Sequence, residues 1–230
     1  VIFGVPEFRA TLEKVLDRKD IMVKFYHELV RVDGANKVAW YHIKAAAVDK
    51  PELQVRNPKP IEEEWVGNDM VGIHFDLMHL APPQTAPDFV RNSKLVCADG
   101  PQKGWVCVDE HTLQHKQYPN VFSLGDVAGL PTAKTGAAVR KQAPVVVENI
   151  MRLRQGRTDL WPGYNGYSSC PLVTGYGKMV LAEFEYGNKR ASDPIISKFV
   201  DTTKENYSMW LLKKYGLPFM YWNLMLKGRA

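Results

Sequence analysis

The sequence predicts an α/β fold, because runs rich in β-branched and aromatic residues alternate with runs of helical periodicity. The 230 residues are 45% hydrophobic and 24% charged, which is typical of a globular protein with a real core, as one large domain or two small ones. The formal net charge of +5 fits a nucleic-acid binder, an anionic membrane surface or a mitochondrial protein, and does not choose among them.

The first elements are the end of a buried strand at Val1–Phe3 and a helix with Pro6 near its first turn. Apolar residues follow that helix at helical spacing: Phe8, Leu12, Val15 and Leu16. Residues 21–44 are β-branched and aromatic, broken at Asp33-Gly34, and predict strands joined by a hairpin turn. Polar residues and prolines at 48–68 predict a surface loop, and residues 72–80 predict another strand.

The second half begins at a predicted domain crossing, residues 81–92, where prolines stop the preceding strand. Residues 105–108 and 121–124 are predicted as short strands, and residues 133–155 as a helix that stops at Gly156. Residues 168–187 predict two strands that meet at Thr174-Gly175. The tail from Tyr207 concentrates Trp, Tyr and Phe together with lysines.

Several functional classes receive little support from the sequence. The three cysteines show no CxxC spacing, so Cys97 and Cys107 are interpreted as incidental thiols. His111 and His115 lie four apart near acidic residues, but the ligand set is poor for zinc, so we predict a surface role and no metal. The basic residues are dispersed, which argues against nucleic-acid binding. No apolar run is long enough to span a bilayer.

The stretch YPNVFSLGDVAGLPTAKTGAAV places Asp126 at the tip of a predicted strand, just before a helix. A carboxylate at that position can bind a ribityl or ribose, and the helix start attracts an electron-rich oxygen. Small residues at 136–138 would let a flat ring approach the backbone. By itself the pattern fits equally an Asp that caps a tightly packed helix.

Longer stretches of sequence favour the cofactor-binding interpretation of Asp126. VIFGVPEF, MHLAPPQTAPD, GWVCVDEHTLQH, YPNVFSLGD, LPTAKTGAAV, SSCPLVTGYGKMVLAEFEY and KKYGLPFMYWNLMLKG together resemble the carboxy-terminal half of mitochondrial-type sulfide:quinone oxidoreductases. These are flavoproteins with two dinucleotide-binding domains. The resemblance implies a partial disulfide-reductase-like fold: residues 1–92 as the second part of an inserted NAD(P)-like domain, 93–157 as the return into the FAD domain, and 158–230 as a quinone and membrane-interface region.

The resemblance also implies roles for individual residues. Asp126 would bind the flavin ribityl, and Lys134 and Thr135 would face the pyrimidine edge of the isoalloxazine. Cys170 would be one of a redox pair beside FAD, with a partner cysteine upstream of Val1. That chemistry oxidises sulfide to a sulfane sulfur, hands it to a thiol acceptor and sends electrons to ubiquinone, and it needs a thiolate of low pKa.

The aromatic tail has two readings. Its pattern fits an amphipathic helix on a core, while Trp, Tyr and Lys together also suit the headgroup level of a membrane. The resemblance implies monotopic attachment to the mitochondrial inner membrane, with Phe219, Tyr221 and Trp222 lining a quinone path.

The sequence contains no G-x-G-x-x-G to cradle the FAD pyrophosphate. It also begins without methionine, so we expect further sequence ahead of Val1 and infer nothing from a missing targeting peptide. Three explanations stay open: a fragment, one half of a split enzyme with a partner chain, or a degenerate, non-catalytic accessory subunit of a mitochondrial respiratory complex. A type II NADH dehydrogenase is a weaker alternative, because Cys170 would then have no purpose.

Overall fold

The computed structural model describes residues 1–229, which form two compact units. Unit 1 contains residues 1–2 and 12–83, and unit 2 contains residues 3–11 and the chain from residue 84 onward. Helix α1 (Pro6–Arg18) begins at the predicted proline. The mixed α/β architecture with several sheets is confirmed, and all three sheets of the described residues are antiparallel.

Unit 1 is built on a four-stranded sheet in the order β2-β3-β6-β5, beside a two-stranded ribbon of β1 and β4. Its strands are β1 (Val23–Lys24), β2 (His27–Asp33), β3 (Val38–Ile43), β4 (Val55–Arg56), β5 (Glu63–Val66) and β6 (Met70–His74). The predicted hairpin joins β2 and β3, and its turn is fixed by Asn36, whose backbone and side-chain N–H groups donate to the Asp33 carboxylate. Val38, Ala39 and Ile43 of β3 and Val71 of β6 are buried.

Two predictions for unit 1 are wrong in part. The polar segment 48–68 contains strands β4 and β5, and the strand expected at 72–80 runs from Met70 to His74. Strand β5 pairs with β6 through Trp65 and Val71 and forms the edge of the sheet. Because one side of an edge strand faces solvent, it tolerates the glutamates that made it look like a loop.

Unit 2 combines one long helix with an antiparallel hairpin and a helical tail. Its elements are α2 (Asp88–Arg91), α3 (Gly136–Arg154), β7 (Ser168–Gly175), β8 (Lys178–Glu185), β9 (Lys189–Arg190), α4 (Tyr207–Leu211), a π-helical turn (Leu212–Gly216) and α5 (Leu217–Asn223). The predicted helix, its stop at a left-handed Gly156 and the two strands at 168–187 are confirmed. The chain turns at Tyr176-Gly177, two residues later than expected.

Three apolar clusters hold unit 2 together. The largest joins α3, through Val145 and Val146, to the loops of residues 86–130 and to Tyr164. A second packs Val5 and Phe8, at the start of α1, on Val180, Ala182 and Phe184 of β8. The third places Met209 of α4 on Met179 and Leu181. Strand β8 is therefore covered on both faces, which accounts for its continuous apolar run.

Three predicted short strands are absent from the described residues. Residues 1–3 form no strand, and the Phe3 carbonyl accepts a hydrogen bond from the Arg9 side chain instead. Residues 105–108 and 121–124 make isolated bridges, such as Val106 with Ala128, and no ladder. A ladder needs a neighbouring strand along its length, and within the described part of the chain the backbone bridges of these segments run only to residues outside strands.

The side chain of Asn149 on α3 joins two loops of unit 2 to the helix. Its side chain is fully buried, its Nδ2 donates to the carbonyls of Thr112 (2.9 Å) and Trp161 (3.0 Å), and its Oδ1 accepts from Trp161 N (2.7 Å). One side chain thus binds two loops to the helix and satisfies three part-buried backbone groups.

We expect Asn149→Ala to lower the free energy of unfolding by about 1–3 kcal/mol, because a fully buried side chain is truncated and three part-buried backbone groups lose their partners. Urea denaturation followed by circular dichroism measures the change. Val147→Ala on the same helix is the control, since Val147 is exposed and should change stability by about 0.5 kcal/mol or less. Equal effects of the two substitutions would contradict the assigned role of Asn149.

Candidate functional site

A tight turn at Gly125–Val127 carries the predicted cofactor carboxylate. Gly125 adopts a left-handed conformation, and its N–H donates to Oε1 of the buried Gln142 on α3 (2.8 Å). The turn is thereby fixed to the helix, and Asp126 at its centre is exposed to solvent. The alternative in which Asp126 caps α3 is not what the structure shows, because Thr135 is the cap.

Thr135 joins the start of α3 to the first residue of β7. Its Oγ1 accepts from Ala138 N (3.2 Å), as an N-cap does, and lies 2.9 Å from Oγ of the buried Ser168. Ser168 Oγ also donates to the Ala133 carbonyl (3.2 Å). The helix start and the strand that carries Cys170 are therefore held in a fixed relation.

Lys134 lies against the protein rather than in an open site. Its Nζ donates to the Ala128 carbonyl (2.7 Å) and lies 3.9 Å from the ring centroid of Trp105. Burial lowers the pKa of Lys134 below its ordinary value, and the charge of Asp126 opposes that shift. In this arrangement the Lys134 charge is directed at the Ala128 carbonyl and the Trp105 ring.

Cys170 is a half-buried free thiol in the middle of β7, opposite Ala182 and packed on the cluster that contains Phe8. Burial raises its pKa above the ordinary thiol value of 9.0, and the nearby positive charge of Lys213 lowers it in part. Lys213 is held there because its Nζ donates to the Pro171 carbonyl (2.9 Å). In this environment, burial in an apolar strand has a larger effect on the pKa of Cys170 than the one nearby lysine.

A cavity of 1140 Å³, the α3 cavity, brings three predicted site residues together: Thr135, Cys170 and Tyr221 all line it. The remaining predicted residues, Asp126, Lys134, Phe219 and Trp222, do not line it. Apolar tail residues, among them Leu217 and Met220, form much of the opposite wall. The cavity is therefore large enough for a flat aromatic molecule and is open to the small residues at the start of α3.

Sequence reasoning missed a polar pair in the wall of the α3 cavity. Tyr167 Oη donates to Oε1 of Glu183 (2.6 Å), whose Oε2 accepts from Asp193 N (3.0 Å). Glu183 is only 6% exposed. Burial raises the pKa of Tyr167 above its ordinary value, and Glu183 raises it further. The available signal was a carboxylate, Glu183, flanked by the apolar residues Ala182 and Phe184 in the run LAEFEY.

Two interpretations of the sequence are wrong. Cys97 and Cys107 form a disulfide and are not incidental thiols; the hairpin between them, which residue spacing alone did not reveal, brings them together. His115 is 3% exposed rather than a surface residue. Its Nε2 donates to the Leu95 carbonyl (2.8 Å), while Nδ1 accepts from Gln117 N and Tyr118 N.

The described residues contain no group of three or more side chains that could hold a metal ion. Within residues 1–229, every helix is too short or too polar to cross a bilayer. The tail nevertheless exposes a set of large aromatic side chains: Tyr207, Tyr215, Phe219, Tyr221 and Trp222.

We expect Lys213→Gln to slow alkylation of Cys170 by iodoacetamide about two- to fivefold at neutral pH. Removal of the positive charge raises the thiol pKa further and leaves less thiolate. The pH dependence of the alkylation rate measures this, and its midpoint should move upward. Lys214→Gln is the matched control, because Lys214 lies over the rings of Trp210 and Tyr215; a shift as large in that variant would show that Lys213 has no specific effect.

Comparison with known proteins places the sequence among curated relatives. The chain is 37% identical over 227 residues to mitochondrial sulfide:quinone oxidoreductase of Mus musculus and 38% identical over 228 residues to that of Dictyostelium discoideum. Each match covers 99% of this chain and 44% of the relative. The Schizosaccharomyces pombe protein of the same name is 45% identical over 155 residues, 67% of this chain and 33% of the relative.

Other comparisons add the fold. No family model matches the sequence. A chain in the cryo-EM structure of the Tetrahymena thermophila mitochondrial ATP synthase, an F1Fo composite tetramer model, superposes with a TM-score of 0.68 at 23% identity. That match covers 95% of this chain and 46% of the other, and it shows a shared fold alone. By sequence, the chain belongs to the mitochondrial sulfide:quinone oxidoreductase family and spans less than half the length of the relatives it matches, consistent with their carboxy-terminal half.

Proposed function

We propose that the chain supplies the sulfur-handling and flavin-facing part of a mitochondrial sulfide:quinone oxidoreductase-like flavoprotein. The observation that carries this proposal is the α3 cavity, which Thr135, Cys170 and Tyr221 line together. Membership of the family supports it, since the relatives are named for this reaction. Because the chain spans 44% of two of those relatives, the complete reaction would draw on further polypeptide.

The start of α3 fits the ring end of FAD. A Cβ built on Gly136 would have no neighbouring atom within 4 Å, so a planar ring has room against the backbone. The N–H groups of the first helical turn would face the pyrimidine edge, beside the Thr135 cap. Asp126, exposed in its tight turn, would accept hydrogen bonds from the ribityl chain.

Lys134 would reach the ring only after leaving Ala128 and Trp105. The phosphate end of FAD would be held by an amino-terminal half or a partner chain, since the sequence has no G-x-G-x-x-G. A bound FAD would supply two-electron acceptance from sulfur and onward transfer to ubiquinone.

Cys170 would act as one member of a cysteine pair. Hydrosulfide attacks the partner sulfur of the disulfide, a new S–S bond forms there, and the bond to Cys170 breaks. The electron pair of the broken bond stays on Cys170, which leaves as a thiolate favoured by Lys213. An acceptor thiol then removes the sulfane sulfur. The partner cysteine would lie outside these 230 residues, because Cys97 and Cys107 are bonded to each other.

The tail would admit the quinone and hold the protein at the surface of the inner membrane. Tyr221 lines the α3 cavity, while Phe219 and Trp222 are exposed on the same short helix, by 62% and 64%. Aromatic side chains with neighbouring lysines suit the headgroup level, where ring and charge both find a favourable environment.

The native particle containing this chain is expected to carry flavin absorbance that bleaches on addition of sulfide and recovers with a quinone. Cys170→Ser should keep the flavin and slow bleaching by about a thousandfold or more, because the sulfur that reacts is lost. Gly136→Val should instead lower the flavin content, because it fills the space at the helix start. Absorbance spectra and stopped-flow mixing give both readouts.

The proposal fails if no flavin co-purifies and no chain with a G-x-G-x-x-G accompanies this one. Full sulfide oxidation by the Cys170→Ser particle would remove Cys170 from the chemistry and leave flavin binding intact as a separate question. The two variants thus test the sulfur and ring positions independently.

A second prediction concerns the membrane. We expect Phe219→Ser/Trp222→Ser to weaken binding to mixed phosphatidylcholine and phosphatidylserine vesicles about tenfold, because two interfacial rings are lost. Vesicle co-sedimentation measures the partition. Phe89→Ser is the control, since Phe89 is 78% exposed but lies outside the tail. Equal loss in both variants, or none in either, would count against attachment through the tail.

A further inference from the structure

The Cys97–Cys107 disulfide closes a hairpin loop in unit 2. Backbone hydrogen bonds hold the two arms beside it: Cys97 N donates to the Trp105 carbonyl (2.9 Å), Gly104 N to Cys97 O (3.1 Å), and Cys107 N to the Leu95 carbonyl (2.8 Å). These bonds do not depend on the disulfide. The hairpin can therefore keep its backbone pairing when the sulfur bridge opens, which frees the bridge for chemistry.

The disulfide is accessible from a second cavity. Cys97 and Cys107 are both half-buried and both line a cavity of 650 Å³, the disulfide cavity. Lys94, Lys116 and Asp99 also line it, so two positive charges face one negative charge. Because disulfide exchange proceeds by attack of an anionic sulfur nucleophile, an open cavity of positive net charge favours approach of small thiolates and hydrosulfide.

We propose that the Cys97–Cys107 disulfide is an exchange site for hydrosulfide and small thiolates, separate from Cys170 and from any flavin. The incoming anion attacks one sulfur, a new S–S bond forms, and the Cys97–Cys107 bond breaks. The electron pair goes to the other cysteine, which takes up a proton. Hydrosulfide thus leaves one cysteine persulfide and one thiol, with no further oxidant or reductant.

The hairpin that the disulfide closes also contacts Lys134, which precedes the start of α3. Trp105 lies on the hairpin that the disulfide closes, and its ring carries the Lys134 ammonium at 3.9 Å. Lys134 also binds the Ala128 carbonyl, while Ala128 forms a bridge with Val106. The hairpin that the disulfide closes therefore contacts Lys134 through Trp105 and keeps that contact through its own backbone pairing.

Peptide mapping after hydrosulfide treatment tests the exchange. Trypsin cuts after Lys94, Lys103 and Lys116, so Cys97 and Cys107 lie on different peptides that stay cross-linked while the disulfide is intact. The full chain in its native particle, carrying Cys170→Ser, is treated with sodium hydrosulfide, alkylated and digested. We expect loss of the cross-linked pair and the appearance of one peptide that carries an additional sulfur atom.

Charge variants test the role of the cavity. Lys94→Gln/Lys116→Gln should slow the reaction with hydrosulfide about threefold or more, while its rate with an uncharged phosphine reductant stays unchanged. Lys103→Gln is the matched control, because Lys103 lies on the same hairpin but does not line the disulfide cavity. Since this substitution removes the tryptic site between the two cysteines, the rates of all variants are followed by intact mass after alkylation.

Three results would overturn the proposal. The first is a native cross-linked pair that resists hydrosulfide while the urea-unfolded chain reacts, which would show an inert structural bridge. The second is a chain whose Cys97 and Cys107 are free thiols when isolated without reductant. The third is an equal rate for the double lysine variant and the Lys103 control, which would remove the cavity from recognition. Because Cys170 is absent from the tested protein, none of these results bears on the function proposed for Cys170.

Discussion

Three polar side chains on one face of α3 hold unit 2 in shape. Thr135, Gln142 and Asn149 are spaced by seven residues, two helical turns, and so lie on the same side. Thr135 contacts Ser168 at the start of β7, Gln142 fixes the turn at Gly125, and Asn149 binds the loops at Thr112 and Trp161. The segments on this face form isolated bridges in place of a sheet, so side chains satisfy backbone groups that a ladder would otherwise pair. The geometry of the candidate site depends on these contacts, since the carboxylate turn, the helix start and the cysteine strand are attached by them.

The sequence pattern predicted the elements that are formed by contacts between residues close in sequence. The apolar stripe of α1, the hairpin at Asp33, the long helix with its glycine stop and the β7–β8 hairpin all follow from periodicity and turn residues. The region 93–135 could not be predicted in the same way, because its backbone hydrogen bonds form turns and isolated bridges without a repeating pattern. Gln142 and Asn149 were overlooked for a related reason: on a helix, an amide side chain is indistinguishable from a surface residue until the packed loops are known. The glutamates of β5 led to the wrong prediction of a loop, because an exposed edge strand can be as polar as a loop.

The same distinction applies to the candidate site, where residues could be identified from the sequence and their surroundings could not. Family strings identified Cys170, Thr135 and Tyr221, and these three line one cavity, although the roles assigned to them stay predictions. The strings did not reveal the burial of these residues or the charges near them. The pKa of Cys170 is raised because its strand is covered by Phe8 and its neighbours, and the compensating Lys213 lies 43 positions away in the tail. The disulfide likewise depends on a hairpin that brings Cys97 and Cys107 together, a relation that their spacing alone leaves open.

The placement of Lys134 changes the source of positive potential at the start of α3. A lysine next to a helix N-terminus is easily taken for the group that stabilises negative charge on a bound ring. Here its ammonium is half-buried between the Trp105 ring and the Ala128 carbonyl, and burial lowers its pKa, so most of its charge is already engaged. The cationic side chains that line the cavity are Arg140 and Lys141, which belong to the same helix whose first-turn backbone N–H groups favour an anion. Positive potential in the cavity therefore comes from α3 and its own cationic side chains, while Lys134, which does not line the cavity, is engaged by Trp105 and Ala128.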